Sequence, residues 1–323
     1  MEKLSSVPGP ALATLTKERF SSEAWLFERK LDGVRCLAFG EDGKVRLRSR
    51  SGGDMGSAFP EVVEALEAQG CPNFVVDGEV VAFDGVQTSF GALQPRIHLS
   101  NPARARRTGI GIFYYVFDLL HLDGHSTRSL PLRERKGLVR DLLSWGDPLR
   151  YTAHRNAAGE RYYEQACARG WEGLIAKRAD APYPSGRTKD WLKFKCEQGQ
   201  EFVIGGWTDP QGSRVGFGAL LLGYYAQDGE LVYAGKVGTG FDTKLLRSLH
   251  GRLNALERAS PAFRRGPLLP KKDVHWAEPA LVGQVYFTEW TRDGQLRHPR
   301  FLGLRNDKDP RDVVRELPAS APS

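Results

Sequence analysis

The chain has 323 residues, of which 41% are hydrophobic and 26% charged, and its formal net charge is +7. This composition is typical of an ordinary soluble globular protein, and the length suggests two domains or one large one. No apolar run is long enough to span a membrane, which excludes a transmembrane helix, and the basic balance favours a polyanionic partner without identifying one.

The N-terminal segment and the cysteines indicate the compartment. Residues Met1–Lys17 lack the apolar centre of a signal peptide, so we expect a cytoplasmic protein. Cys36, Cys71, Cys167 and Cys196 are scattered and include no Cys-x-x-Cys pair. They suggest neither a disulfide framework nor a zinc site, and we expect four reduced, mostly buried thiols.

A lysine lies between the first two predicted strands. Ala24–Phe27 and Val34–Phe39 read as strands, and Glu41–Gly43 supplies a hairpin turn. Lys30 lies two residues before Asp-Gly in the connecting segment Glu28–Arg35. We expect cations near Lys30 to lower its pKa, which would raise the fraction of free amine that a nucleophile needs.

Strands and helices then alternate without a regular βαβ repeat, which predicts an α+β fold with mixed or antiparallel sheets. The predicted helices cover residues 59–68 (ended by Gly70), 133–145 and 160–169 (ended by Gly170). The predicted strands cover residues 74–83, 113–120, 174–178 and 191–196.

The pattern changes after Cys196. The polar connection 197–200 leads into short strands and one helix, a combination that suits an OB-fold barrel. We predict strands at 202–207, 220–225, 231–237 and 285–290, a helix at 243–258 and a Pro- and Arg-rich loop at 259–273. The predicted domains are residues 1–197 and 198–317, followed by a disordered tail at 318–323.

Segments in a fixed order resemble the nucleotidyltransferase superfamily of ATP-dependent DNA ligases, RNA ligases and mRNA capping enzymes. The resemblance covers about Trp25 to Glu316 and is closest to the ligase domain of bacterial end-joining ligases and their stand-alone relatives. It is carried by the Lys30–Gly33 box and, in chain order, by Ser49–Gly52, Asp77–Glu79, Phe113–Leu120, Glu172–Arg178, Asp190–Lys195 and Glu289–Lys308.

The resemblance implies a fold and an activity. The fold is a nucleotidyltransferase domain, ATP-grasp-like, followed by a C-terminal OB-fold domain. The activity is that of an ATP-dependent DNA ligase, which seals a nick between a 3′-hydroxyl and a 5′-phosphate through a lysine–AMP intermediate. Each step is an in-line phosphoryl transfer, so catalysis depends on positioning and on stabilisation of charge.

The resemblance also implies roles for individual residues. Lys30 is the adenylated lysine, and Lys193 and Lys195 act on the α-phosphate as catalytic residues. Glu79 contacts the ribose hydroxyls and, with Glu172, is a metal ligand. The residues implied to bind the nucleotide are Glu28, Arg35, Arg50, Glu79, Phe117, Lys193, Lys195, Arg292, Arg305 and Lys308; of these, Phe117 stacks on adenine, Arg35 lies near the ribose and the nick, and Arg292, Arg305 and Lys308 bind pyrophosphate.

Each motif by itself has an ordinary structural explanation. Asp77-Gly78 is also typical of a β-bulge or a hairpin turn, and an aromatic such as Phe117 usually lies in a core. Lys193 and Lys195 share a strand face with Trp191 and could be solvent-facing edge residues. Lys177 is equally well explained as a solvated strand lysine, and the basic loop of Arg96, Arg104, Arg106 and Arg107 as a DNA-tracking or a solvated loop.

The expected cofactors are ATP and Mg²⁺, with Mn²⁺ as an alternative metal. The expected partners are nicked or broken duplex DNA and a DNA-end-binding or repair protein that recruits the enzyme, with no membrane contact; we expect a monomer in the bacterial cytoplasm, associated with the nucleoid.

Only 29 residues precede Lys30, which argues against NAD as AMP donor and against an N-terminal helical DNA-binding domain. The alternatives are an RNA ligase or capping-type enzyme, or a non-enzymatic OB module that binds single strands.

Overall fold

The computed structural model describes residues 9–71, 73–196 and 198–316. The chain divides into two compact units, and the division falls directly after Cys196. The tail 318–323, expected to be disordered, lies outside the described residues. In the described part of the chain, no helix is long and apolar enough to cross a membrane.

The first unit combines many strands with five helices. Its strands are β1 (Ala11–Leu15), β2 (Trp25–Lys30), β3 (Val34–Glu41), β4 (Lys44–Ser49), β5 (Phe74–Val81), β6 (Phe83–Asp84), β7 (Gln87–Thr88), β8 (Phe113–Leu122), β9 (His125–Ser126), β10 (Leu149–Tyr151), β11 (His154–Asn156), β12 (Gly173–Arg178) and β13 (Gly186–Lys195). Its helices are α1 (Pro60–Glu67), α2 (Phe90–Ile97), α3 (Pro102–Arg107), α4 (Leu132–Leu142) and α5 (Gly159–Ala168).

These strands form two larger sheets. The first sheet has the order β1-β13-β12-β2-β11, and the second has the order β10-β8-β5-β3-β4 with β9 beside β8. The pairs β1–β13 and β10–β8 are parallel and the other pairs in these sheets are antiparallel. The prediction of an α+β fold with mixed and antiparallel sheets is therefore confirmed.

Local sequence explains the elements that prediction found. Asp42 and Gly43 both have positive φ (51° and 74°) in the turn between β3 and β4, a conformation that Asp-Gly adopts readily. Gly70 and Gly170 also have positive φ and follow α1 and α5, as helix-ending glycines do. The strand β1 has no counterpart among the predicted strands, because its five residues carry no period or turn signal that separates them from a loop.

The second unit is built on one sheet with a helix after its third strand. Its elements are β14 (Gln198–Thr208), β15 (Leu220–Tyr225), β16 (Leu231–Val237), α6 (Thr243–Asn254), β17 (Glu257–Arg258), β18 (Val274–Phe287), β19 (Glu289–Trp290), β20 (Leu296–Arg297), β21 (Arg300–Leu304) and a 3₁₀ turn at Pro310–Asp312. The sheet order is β16-β15-β14-β18-β17, with β21 beside β18. This arrangement agrees with the predicted OB-fold.

One prediction about the cysteines is wrong. Cys167, in α5, and Cys196, which follows β13, form a disulfide bond, whereas Cys36 and Cys71 are free. The two bonded residues are 29 positions apart in sequence and are brought together because α5 leads into β12, which pairs with β13. Spacing in the sequence could not reveal this proximity.

Candidate active site

Strand pairing in the first sheet aligns Lys30 of β2 with lysines of β13 across the intervening strand β12. Gly173 of β12 lies opposite Lys30 on one side and opposite Lys195 on the other. In the next row of the same face, Ile175 lies between Glu28 and Lys193. Strand pairing therefore brings residues from three distant motifs onto one face of the sheet.

Gly173 makes this close arrangement possible. Its φ is +145°, and a Cβ atom there would lie 1.8 Å from the carbonyl oxygen of Phe194. Any larger residue would push β12 away from β13, and with it the row that contains Lys30 and Lys195. The sheet therefore requires glycine at position 173, directly after Glu172, for a steric reason that is independent of any ligand.

The environment of Lys30 differs from the prediction. The Lys30 ammonium forms an ion pair with the carboxylate of Glu172. Burial disfavours the charged amine, but the attraction of Glu172, with contributions from Asp32 and Glu79, outweighs burial and raises the pKa of Lys30. The expected lowering of this pKa by cations is wrong for the protein alone, because carboxylates rather than cations lie nearest the amine.

The turn after Lys30 is fixed by hydrogen bonds and close packing. The backbone N–H of Asp32 donates to the Thr88 hydroxyl at 3.1 Å, and the Asp32 carboxylate accepts from the backbone N–H of Phe90 at 3.1 Å. A Cβ atom on Gly33 would lie 2.2 Å from the carbonyl oxygen of Val80. Asp32 and Gly33 therefore fix the backbone of the segment that follows Lys30.

A second row of polar side chains crosses the other sheet. Arg35 of β3 lies opposite Glu79 of β5, and Glu79 lies opposite Tyr115 of β8. Arg50 follows Ser49, the residue that pairs with Cys36 on β3. One guanidinium nitrogen of Arg50 is buried without a hydrogen-bond partner in the described ranges, which suits a residue that receives an anionic group.

Arg35 is held in place by a buried carboxylate. Asp77 is fully buried and accepts two hydrogen bonds from the Arg35 guanidinium, at 2.5 and 2.6 Å. The Tyr183 hydroxyl also donates to Asp77, at 2.6 Å, and accepts from the backbone N–H of Ala11 at 2.9 Å. This network fixes the direction of Arg35, so Arg35 is not an ordinary surface arginine.

Phe117 is the extra residue of a β-bulge. The pairing of β5 with β8 passes from Asp77–Asp118 to Gly78–Val116. A bulge of this kind re-aims a side chain, and the Phe117 ring lies 4.7 Å from the Arg35 guanidinium carbon and 6.0 Å from the Trp191 ring. The next residue, Asp118, has a structural role, because its buried carboxylate forms an ion pair with the buried Arg135.

Glu28 lies in a buried cluster of charges that the sequence did not reveal. Its carboxylate contacts the ammonium groups of Lys136 and Lys177 at 2.5 and 2.7 Å, and all three side chains are at most 3% exposed. Burial opposes the charged form of Glu28, but the two lysines outweigh it and lower its pKa. Glu28 is therefore an ionised carboxylate two residues before Lys30.

Lys177 is buried, so its interpretation as a solvated strand lysine is wrong. Its ammonium lies 4.1 Å from the centre of the Phe117 ring and 4.0 Å from that of Trp191. Burial lowers the pKa of Lys177 to about 8, with a further contribution from Lys136 against the attraction of Glu28. Two aromatic faces and one carboxylate thus surround this cation.

The sequence contained a signal for the buried cations Arg135 and Lys136 of α4. The buried residues of α4 are Leu132, Arg135, Lys136 and Val139, the spacing of a core-facing helical stripe. Two of these four positions carry cations, and a cation at a core-facing position requires a buried partner. Arg135 and Lys136 find theirs in Asp118 and Glu28, whereas Tyr183 left no comparable signal.

The residues near Lys30 fit a magnesium ion that is held partly by substrate. In the part of the chain that the structure describes, no group of three or more His, Cys, Asp or Glu side chains could hold a metal ion. Mg²⁺ is usually bound by one or two carboxylates together with substrate phosphates and water. Glu172, beside Lys30, and Glu79 supply hard carboxylate oxygens of this kind.

The three predicted phosphate-binding residues of the second unit lie in separate environments. Arg292 is exposed in the turn after β19. Arg305 donates two hydrogen bonds to Asp307, at 2.8 and 2.7 Å, so Asp307 orients the Arg305 guanidinium. Lys308 donates to Glu201 of β14 at 2.8 Å. Both Arg305 and Lys308 therefore have defined side-chain directions in this unit.

The arginines of the predicted basic loop lie in two helices: Arg96 in α2, and Arg104, Arg106 and Arg107 in α3. Arg96 is 1% exposed and binds Glu61 and the carbonyl oxygen of Ala58, so it is structural. Arg106 pairs with Glu64. The remaining arginines of α3, Arg104 and Arg107, are exposed.

Family models and known relatives agree over both units. The model of the ATP dependent DNA ligase domain matches residues 10–195, and the model of the ATP dependent DNA ligase C terminal region matches residues 213–308. The multifunctional non-homologous end joining protein LigD of Pseudomonas aeruginosa is 40% identical over 319 residues, which are 97% of this chain and 37% of that protein. A DNA ligase of Natronomonas pharaonis is 32% identical over 298 residues, 88% of this chain and 52% of that protein.

Solved structures give the same result. A mycobacterial DNA ligase D complexed with ATP and MES has a TM-score of 0.67 and 34% identity, and the match covers 96% of this chain and 98% of that one. The ligase domain from M. tuberculosis LigD matches with a TM-score of 0.50 and 35% identity. The chain spans about two fifths of the length of the LigD proteins it matches.

Proposed function

The chain belongs to the ATP-dependent DNA ligase family, and from this premise we propose that it seals nicks in duplex DNA through an AMP group carried on Lys30. The observation that carries the proposal is the pairing of β2, β12 and β13, which sets Lys30 and Lys195 on either side of Gly173. A nucleophilic amine beside further cations is the arrangement that phosphoryl transfer from ATP requires.

In the first step, the Nζ atom of Lys30 attacks the α-phosphorus of ATP. A phosphorus–nitrogen bond forms, the bond from the α-phosphorus to the bridging oxygen breaks, and pyrophosphate leaves. The amine must first lose a proton, which its raised pKa opposes. Lys193 and Lys195 stabilise the negative charge on the α-phosphate oxygens during the transfer.

Glu172 and Glu79 are the residues that would hold Mg²⁺. The ion would neutralise phosphate charge and compete with Lys30 for the Glu172 carboxylate, which favours the free amine. The assignment is supported by the hard oxygen donors at these two positions and by the contact between Glu172 and Lys30.

The second sheet supplies the nucleoside pocket in this proposal. Phe117 offers a ring for stacking on adenine, and Glu79 can accept hydrogen bonds from the two ribose hydroxyls. Arg35 and Arg50 are the cations on this side, and Glu28 closes the pocket toward α4.

In the second unit, Arg292, Arg305 and Lys308 bind the pyrophosphate part of ATP and act in the first step alone.

The later steps use the adenylate. The 5′-phosphate of the nick displaces Lys30 from the AMP phosphorus, forming a phosphoanhydride. The 3′-hydroxyl then attacks the 5′-phosphorus, and AMP leaves as the new phosphodiester forms.

Because the relatives include end-joining proteins, we propose repair or end joining as the setting, with a monomer in the bacterial cytoplasm near the nucleoid and recruitment by a DNA-end-binding protein.

One experiment separates this function from its alternatives. The protein is incubated with α-labelled ATP and Mg²⁺ and run on a denaturing gel, where a covalent label is expected on the chain. Labelling by GTP in place of ATP would indicate a capping-type enzyme, and sealing of nicked RNA but not nicked DNA would indicate an RNA ligase. No label with either nucleotide would refute the proposal and leave a nucleic-acid-binding module.

A further inference from the structure

The second unit contains a groove that the proposed reaction does not use. It has a volume of about 560 Å³ and lies between the loop 263–271 and the start of β18. Its apolar lining comes from Phe263, Val274 and Trp276 and from the loop segment 267–270, and Arg264, Arg265 and Lys271 contribute cations. This size falls within the range of about 300–1,000 Å³ that is typical of small-ligand sites.

The loop is held against the sheet, so the groove is formed in advance. The backbone N–H of Arg264 donates to the carbonyl oxygen of Leu231 at 2.9 Å, and the carbonyl oxygen of Arg265 accepts from the N–H of Tyr233 at 2.8 Å. Gly266 has φ +116°, and a Cβ atom there would lie 2.5 Å from the carbonyl oxygen of Tyr233. Glycine permits the close approach that keeps the loop on β16.

The floor of the groove offers an aromatic surface. Phe263 is 4% exposed and packs edge-to-face against Trp276, with ring centres 6.3 Å apart. Trp276 is partly exposed and lines the groove. An indole that is held by an edge-to-face contact with a buried ring is a suitable platform for stacking a planar group.

The cations at the rim differ in how far they are neutralised. Arg265 forms ion pairs with Asp228 and Glu230. Arg264 and Lys271 are exposed, and neither forms an ion pair with any acidic residue that the structure describes. The groove therefore combines an apolar floor with positive charge at both ends of the loop, which complements a ligand with planar rings and phosphates.

We propose that this groove binds an unpaired stretch of single-stranded DNA, with a base stacked on Trp276 and backbone phosphates at Arg264 and Lys271. The proposal rests on the proposed function only in that it takes DNA as the substrate. A paired base within a duplex cannot stack on a protein ring, because both of its faces are covered. The ligand is thus an unpaired segment, such as the frayed or overhanging strand at a DNA break.

The test measures binding of a fluorescein-labelled oligothymidine of about 12 nucleotides, a length within the site sizes of OB folds, by fluorescence anisotropy with the full chain. We expect Trp276→Ala and the double variant Arg264→Glu/Lys271→Glu each to weaken binding by roughly tenfold or more. Trp276→Phe should retain most of the affinity. The matched control is Lys244→Glu/Arg247→Glu, on exposed positions of α6, which packs against the other hydrophobic cluster of this unit.

Self-adenylation with labelled ATP is measured on every variant and should be retained. This readout shows that the variants are folded and separates failure of the groove from failure of the proposed function. Equal binding of oligothymidine by the wild type and both groove variants would overturn the proposal. Competition by poly-glutamate as effective as that by unlabelled oligothymidine would also overturn it, because the groove would then recognise charge without bases.

Discussion

Lys30 and Lys195, which are far apart in sequence, face each other across Gly173 in one row of the first sheet. The row places the proposed nucleophile beside a second cation, while Glu172, adjacent to Gly173 in sequence, contacts the Lys30 amine. Strand register therefore assembles the site. A substitution of Lys30 alone should remove the two steps that use its amine and leave the last step, in which the 3′-hydroxyl attacks, available.

Lys30→Ala should abolish attachment of AMP and sealing of a nick with ATP. It should retain some sealing of a pre-adenylated nick, because the last step does not use this amine as the nucleophile. The measurements are a denaturing gel with labelled ATP and a gel assay of nick sealing. Lys189→Ala, which changes an exposed lysine of β13, is the control, and a covalent label on the Lys30→Ala protein would contradict the assignment.

The buried cluster of Glu28, Lys136 and Lys177 predicts opposite effects for two substitutions. Glu28→Gln leaves two buried ammonium groups without their carboxylate and should lower the free energy of unfolding by about 3–5 kcal/mol. Lys177→Met leaves one matched ion pair and removes an ammonium group whose charge burial disfavours, so it should raise the free energy of unfolding at neutral pH. Urea unfolding of the two variants measures the difference. Equal destabilisation by both would show that net charge does not govern this cluster.

The same cluster predicts a dependence of stability on pH. The pKa of Lys177 is about 8 in the folded chain and about 10.4 when unperturbed, so the unfolded state binds more protons between these values. The contribution of Lys177 to stability therefore rises with pH across this window, by up to about 3 kcal/mol. Lys177→Met should be more stable than the wild type at neutral pH, and this advantage should shrink toward pH 10. Unfolding midpoints across a pH series test it, and a constant difference would refute it.

Arg305→Ala combined with Lys308→Ala should impair self-adenylation far more than sealing of a pre-adenylated nick. The reason is that pyrophosphate is present only in the first step. Glu201→Gln should give a weaker defect of the same kind, because Glu201 orients Lys308 through a 2.8 Å contact. Rates of both steps are compared for each variant, with Lys236→Ala, an exposed position on β16, as control. Equal loss of both steps in a folded variant would contradict the assignment.

The disulfide predicts a response to reducing agents. A link between residues 29 positions apart should stabilise the chain by about 3–4 kcal/mol through its effect on the unfolded state. A reductant should lower the melting temperature of the wild type but not that of Cys167→Ser/Cys196→Ser. Cys71→Ser, which leaves the bond intact, should behave as the wild type does. An unchanged wild-type melting curve after complete reduction would refute this estimate.

Much of the fold followed from local signals. Turn residues such as Asp42 and Gly43, the helix-ending Gly70 and Gly170 and the apolar runs of β5 and β8 all act over a few residues. For that reason their elements could be predicted within a few positions. The boundaries that failed, such as the long β18 and the short β17 after α6, depend on which strand pairs with which.

The order of the motifs, the resemblance they carry and the Asp-Gly pair after Lys30 can all be read from the chain alone. The surroundings of those residues required the folded structure: the carboxylate rather than a cation beside Lys30, the buried partners of Glu28, and the bond between Cys167 and Cys196. The difference arises because a pKa, an ion pair or a disulfide depends on distance in space. Chain spacing cannot give that distance until the register of the strands is known.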